Sequence, residues 1–326
     1  MNLTPDSQAI LLLCSYLGLS SNPEFAPLTL KDWNPLARKL QSLALRPAAL
    51  LGLAAAQLKD QLSCSDDEAG RMARLLQRSG SLAIELERLA SLGIFVLTRA
   101  DAAYPERYRQ RLKEAAPALL FFAGAQALLG QPGIAVVGSR HLDEAGQACA
   151  EFVGNACGRS GMVLYSGGAR GVDTLSMDAA LAARGTAVGL LADSLEKAIR
   201  DPQHRTAIAR GDLCLATPYS PGAPFSVGAA MGRNRLIYTL ADYAIVVASD
   251  VEKGGTWAGA SEALRAKWIP VFVLEHPAMP EGNRRLLQKG ALGFPHPFTG
   301  DHLQLKQWLE TQSAQIKPDA IQPGLF

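Results

Sequence analysis

The stretch IAVVGSRHLDEAGQACAEFVGNACGRSGMVLYSGGARGVD, residues 134–173, decides the fold. It opens on the apolar strand IAVVGS (134–139), and a short, wholly apolar run closed by Gly reads as a strand buried on both faces. A helical stretch follows over about 143–158, then the strand MVLYSGG (162–168), then a helix over 171–184. The same rhythm continues through TAVGLLA (186–192), DLCLATPY (212–219), YAIVVAS (243–249) and IPVFVL (269–274), with helices between them near 228–240 and 256–266. Apolar strands alternating with helices predict an α/β fold, a doubly wound parallel sheet covered on both sides.

Upstream the pattern differs. Residues 1–92 are rich in Ala and Leu at three- and four-residue spacings and predict a small helical N-terminal module with helices over 5–19, 29–44, 47–60 and 66–92. GIFVLT and PALLFFAG add two strand candidates before Gly130. The expected organisation is 1–92 helical, 93–300 α/β, and 301–326 a C-terminal helix and tail. The chain has 326 residues, 48% hydrophobic and 19% charged, with a net charge of +2. That balance excludes wholesale disorder and a histone-like basic binder, but it leaves room for one basic groove. No apolar run is long enough for a membrane helix, and the N-terminus lacks the basic, apolar pattern of a secretory signal. The five cysteines are scattered with no CxxC, so they read as reduced thiols, and neither a zinc site nor any other metal site is expected. A cytoplasmic protein without membrane association is the expectation.

In an open parallel sheet, ligands bind where strands give way to helices at their carboxyl ends. Three such turns stand out: Gly138-Ser139-Arg140; Ser166-Gly167-Gly168-Ala169-Arg170-Gly171; and Lys253-Gly254-Gly255-Thr256. Each combines Gly, whose backbone admits a close ligand, with a cation and a following helix N-terminus, the elements of an anion site. Arg233-Asn234-Arg235 adds a compact donor cluster before YAIVVAS. No Walker loop and no GxGxxG with a ribose-binding acid occurs, so the ligand is a phosphate-bearing one other than an ordinary dinucleotide, and no cofactor is expected. Asp173 and Asp242 read as capping or arginine-pairing acids. Trp257, Tyr165 and Phe225 lie near the turns and are candidates for base stacking as well as for packing.

The ordered set GSR, SGGARGVD, RNRLI, KGGT and GNRRLLQKGA, over about 134–292, resembles the DprA/Smf family of DNA-processing proteins. DAAYPERYRQRL and APALLFFAGA are similar to that family's upstream segment. The resemblance implies a Rossmann-like domain that binds single-stranded DNA, protects incoming strands in natural transformation and loads a RecA-like recombinase during recombination. It also implies a homodimer and no cofactor or catalytic turnover. The DNA-contacting positions carried over are Gly138, Ser139, Arg140, Ser166, Gly167, Arg170, Gly171, Arg233, Asn234 and Lys253, with the Gly254-Gly255-Thr256 turn beside them. Gly168 and Arg235 join them as phosphate donors. Departures are visible: Ser176-Met177 stands where the family has an Ala-rich stretch ending in His, Met231-Gly232 stands before RNR in place of Phe-Pro, and the last loop is GGTWAGASEA in place of an SGS-type turn.

That last loop keeps a second reading open. It is similar to the PGGxGTxxE loop of LOG-like nucleoside-monophosphate phosphoribohydrolases, and on that reading Glu262 with Arg170 or Arg235 acts as a nucleotide N-glycosidase. A third reading is a nucleotide-sensing module in stress or phage defence.

Overall fold

The computed structural model describes residues 3–20 and 25–314. The part of the C-terminal tail over 315–326 lies outside the described residues. The strands are β1 (Ile94–Thr98), β2 (Leu119–Gly124), β3 (Gly133–Val137), β4 (Val163–Ser166), β5 (Thr186–Leu190), β6 (Leu213–Thr217), β7 (Tyr243–Val246), β8 (Val271–Glu275) and β9 (Leu292–Pro295). The chain divides into two compact units, Met1–Gly130 with Gly189–Arg233, and Gln131–Val188 with Asn234–Phe326. The division falls inside β5 and inside the helix Val227–Leu240.

The first unit is built around the helix Pro5–Cys14. Thr4 caps it by accepting the Ser7 amide at 3.1 Å, and Pro5 sits in its first turn, where the missing N–H costs nothing. Leu11, Leu12 and Leu13 on it are fully buried. The helix expected over 5–19 stops at Cys14, where the Ser15 hydroxyl bonds back to the Leu11 carbonyl at 2.7 Å. The stretch expected as 47–60 becomes a 3₁₀ turn, Pro47–Leu50, and a helix, Ala55–Leu62, because Gly52 turns the chain with φ +79°. The stretch 66–92 likewise breaks into Asp66–Leu76 and Ser79–Ser91. Arg78 sits at that break and donates to the carbonyls of Leu12, Leu17 (2.7 Å) and Leu75 (3.1 Å). The break thus lets one half-buried guanidinium satisfy the open carbonyl ends of two helices.

One strand of this unit, β2, runs against both of its neighbours. β1 pairs antiparallel with β2, Val96 opposite Phe121, and β2 pairs antiparallel with β6, Phe122 opposite Ala216. The connection from β1 to β2 is held by its own residues. Tyr104 and Tyr108 are buried, the Tyr104 hydroxyl donates to Pro117 at 2.7 Å, and Arg109 donates to the carbonyls of Arg99 and Asp101. The YPERY segment is therefore a structural clasp.

The second unit is the doubly wound part. Its strands lie in the order β4-β3-β7-β8-β9, with β3 parallel to β4 and β7, β7 parallel to β8, and β8 parallel to β9. Ile134, Ala135 and Val136 of β3 are fully buried, as apolar residues facing helices on both sides must be. The helices Glu144–Ser160 and Val172–Ala182 approach closely through small residues. A Cβ on Gly154 would stand 2.4 Å from the Ser176 carbonyl oxygen, and one on Gly158 would stand 2.6 Å from the Ala183 Cβ. β9 and the helix Glu281–Gln288 extend the sheet beyond the last strand that the sequence rhythm predicts. No helix among the described residues is long and apolar enough to cross a membrane.

Candidate nucleic-acid interface

From β3 the chain passes to β4 on one side, while β7 lies on the other. This is the topological switch point at which open α/β sheets place their ligands. The carboxyl ends of β3 and β7 are tied together: Val247 donates to the Val137 carbonyl and Ser139 to the Ala248 carbonyl, both at 2.9 Å. The turns that follow β3, β4 and β7 therefore leave the same end of the sheet.

The first two turns interlock. A Cβ on Gly138 would stand 2.3 Å from Val172 Cγ2, and one on Gly171 would stand 2.6 Å from the Ser139 carbonyl oxygen and 2.7 Å from the Arg140 Cα. Gly171 also holds φ +91°, ψ −129° as the residue before the helix Val172–Ala182, a conformation that side-chain-bearing residues avoid. The ARG and GSR turns thus meet backbone to backbone, and Arg140 and Arg170 project from them exposed. Asp173, 7% exposed, accepts the Ala169 amide at 3.3 Å and so braces the turn from beneath.

The third turn begins the helix Gly254–Ala266. Lys253 is its N-cap and is exposed, as is Gly254, while Gly255 and Thr256 are half-buried. A Cβ on Gly255 would stand 2.2 Å from Asn234 Nδ2, and one on Gly259 would stand 2.8 Å from Tyr238 Cε2. The two glycines let this helix settle directly on Asn234 and Tyr238. The Tyr238 hydroxyl is buried without a hydrogen-bond partner among the described residues, and burial, reinforced by the negative charge of Asp173, pushes its pKa up.

The remaining residues singled out from the sequence lie elsewhere or turn inward. Ser166 is fully buried and donates to the Val136 carbonyl at 2.6 Å, joining β4 to β3. Ser139 Oγ accepts the His141 amide at 3.2 Å and shapes its own turn. Gly167 is buried and Gly168 exposed with φ +65°. Arg233 is 5% exposed, Asn234 packs on Gly255, and Arg235 lies 3.7 Å from Glu262. Glu262 itself is eight residues along its helix from Gly254, about 12 Å of rise. Asp242 accepts the Gly133 amide at 2.9 Å and anchors the start of β3. Among the aromatic candidates, Tyr165 is fully buried and its hydroxyl donates to Gln131, so it has no open face for a base; Phe225 is 51% exposed and Trp257 half-buried. Met231-Gly232 has a local reason, since a Cβ at Gly232 would stand 2.9 Å from the Tyr219 hydroxyl, which donates to Ala229. No group of three or more His, Cys, Asp or Glu gathers to hold a metal among the described residues.

Asn283, part of the GNRRLLQKGA segment, had no role assigned from sequence. It is fully buried and makes three hydrogen bonds, to Ser249, Val247 and Leu274, at the carboxyl end of β7. Only its place within a recurring segment, not its chemistry, marks it in the sequence.

The chain resembles known proteins along this same stretch. A family model described as DNA recombination-mediator protein A matches residues 95–297. DNA processing protein DprA of Streptococcus pneumoniae is 31% identical over 180 residues, which is 54% of this chain and 63% of that protein's length, so the match spans less than two thirds of that relative. The X-ray structure of DprA from Streptococcus pneumoniae shares the fold at a TM-score of 0.65 and 22% identity, covering 90% of this chain and 95% of that one. DNA processing protein A from Helicobacter pylori, in a structure concerned with its single-stranded DNA binding mode, matches at a TM-score of 0.52 and 26% identity over 61% of this chain and 90% of that one. With the family model matched over more than half of its length, the chain belongs to the DNA recombination-mediator protein A family.

Proposed function

We propose that this chain is a DNA-processing protein that binds single-stranded DNA along the carboxyl edge of its parallel sheet. The observation that carries this reading is the exposure of Arg140, Arg170 and Lys253 on the turns after β3, β4 and β7, each beside a Gly-rich backbone. Three cations in a row with open backbone amides suit a chain of phosphates better than one compact anion. Gly168, Gly254, Gly255 and Thr256 would supply backbone donors, and the buried Gly167 would shape its turn. Ser139, Ser166, Gly138, Gly171 and Asn234 would hold those turns in shape.

Family membership supports the finer role. On this reading the protein works in the cytoplasm as a homodimer, protects incoming strands in natural transformation, and passes them to a RecA-like recombinase for recombination. The reading needs no cofactor. It is tested by a gel-shift titration with single- and double-stranded oligonucleotides at two salt concentrations. Preference for the single strand, weakening with salt, is expected. Equal binding of both forms, or none, refutes it.

A further inference from the structure

A groove of about 610 Å³ opens beside the helix Gly254–Ala266, in the second unit, lined by Arg235, Ala258, Ser261, Glu262, Arg265 and Lys289 among others. Its charges do not cancel. Glu262 is compensated by Arg235 at 3.7 Å, whereas Arg265 and Lys289 have no ion-pair partner among the described residues. Lys289 instead places its Nζ 5.6 Å from the centre of the Trp257 ring. Trp257 is in the first turn of the helix that starts at the Lys253–Thr256 edge. Arg265, eight residues further on, lies about 12 Å along it. The Ser261 hydroxyl and Arg235 Nε, both buried in the groove wall, find no hydrogen-bond partner among the described residues.

The Trp257 ring beside the groove-lining Lys289, and Arg265 about 12 Å further along the helix that starts at the phosphate-binding edge, lie along one path. Proteins that hold a single strand without reading its sequence combine a phosphate-tracking basic groove with aromatic faces. We propose that the strand held at the sheet edge continues into this groove, with Arg265 and Lys289 contacting its next phosphates and Trp257 marking the passage. The inference rests on the edge reading and extends its footprint.

The test uses the full chain and an Arg265→Ala/Lys289→Ala variant, with fluorescence anisotropy of labelled oligo-dT of about four and about twelve nucleotides. Both side chains are exposed, so the variant keeps its fold. Wild type is expected to gain at least about tenfold in affinity on lengthening; the variant is expected to lose that gain, to match wild type on the short oligonucleotide, and to show a salt slope smaller by about 1.4 on the long one. An unchanged gain, or an equal loss on both lengths, overturns the inference while the edge reading stands. If wild type ignores the short oligonucleotide, the edge reading fails and takes the inference with it. A variant whose mass in sedimentation differs from wild type assigns these residues to contact between copies of the chain, which also overturns the inference.

Discussion

The Asn283 side chain accepts the Ser249 amide at 2.8 Å while its own amide group donates to Val247 and Leu274, each at 3.0 Å. This one fully buried residue pins the chain where it leaves β7 for the Lys253–Thr256 turn, and ties that point to β8. Gly282 makes the approach possible, since a Cβ there would stand 2.0 Å from the Ser249 carbonyl oxygen.

Asn283→Ala strands one buried donor and two acceptors. It is expected to cost about 2–4 kcal/mol of stability. Urea denaturation measures this directly. DNA affinity should fall with it even where the variant is still folded, because the third turn loses its anchor.

Gly138 and Val172 are expected to be energetically coupled. Gly138→Ala sets a Cβ 2.3 Å from Val172 Cγ2 and should destabilise by about 1–3 kcal/mol through overpacking. Val172→Ala removes the nearest obstruction and leaves the residue-172 Cβ at 3.0 Å, so the relief is partial. In a double-mutant cycle the pair should recover about 1 kcal/mol relative to the sum of the single changes. Strict additivity would show that the two turns are not in contact.

The buried thiols set a pH limit. Burial pushes Cys149, Cys157 and Cys214 up from 9.0 to about 12. A pKa raised in the folded state means that the fold favours the neutral thiol. The contribution is present in full below pH 9 and is lost as pH rises from about 9 towards 12. Urea midpoints measured at rising alkaline pH should fall across that window, and replacing the three with Ala or Ser should flatten the fall. In the native state at pH 8 these three thiols should resist an aqueous disulfide reagent.

Glu262 separates the DNA reading from the hydrolase one. Its pairing with Arg235 is partly exposed, so Glu262→Gln should change stability by less than about 1 kcal/mol. Affinity for a short oligo-dT should be unaffected. Release of adenine from AMP by the wild-type protein, lost in the variant, would instead assign the groove to nucleotide hydrolysis.

Much of the second unit was legible in residues 134–173, because strands buried on both faces have no polar alternation to hide them. The positions of the three turns, and of Arg140, Arg170 and Lys253 on them, followed from the strand ends; their exposure is read from the structure. What sequence could not give is decided at long range. β2 looks like any other apolar strand, and only its pairing with β1 and β6 shows that it runs antiparallel to both. The break at Arg78 depends on carbonyls more than sixty residues away. Ser166 and Arg233 carry the same donors whether they face a ligand or the interior, so their burial is invisible in the sequence. Trp257 and Tyr165 stood equally as stacking candidates, and only the structure separates a half-buried ring from a fully enclosed one.

On the proposed reading, the exposed cations of the three turns hold a single strand. Fluorescence anisotropy of labelled oligo-dT over a salt series, for wild type and an Arg140→Ala/Arg170→Ala/Lys253→Ala variant, tests it most directly. Sub-micromolar, salt-sensitive binding by wild type is expected. In the variant, at least about tenfold weaker binding and a salt slope reduced by about 2 are expected, one counterion-release increment for each lost contact, under conditions where urea denaturation shows both proteins folded. A variant that is equally stable and binds as tightly with the same slope would contradict it.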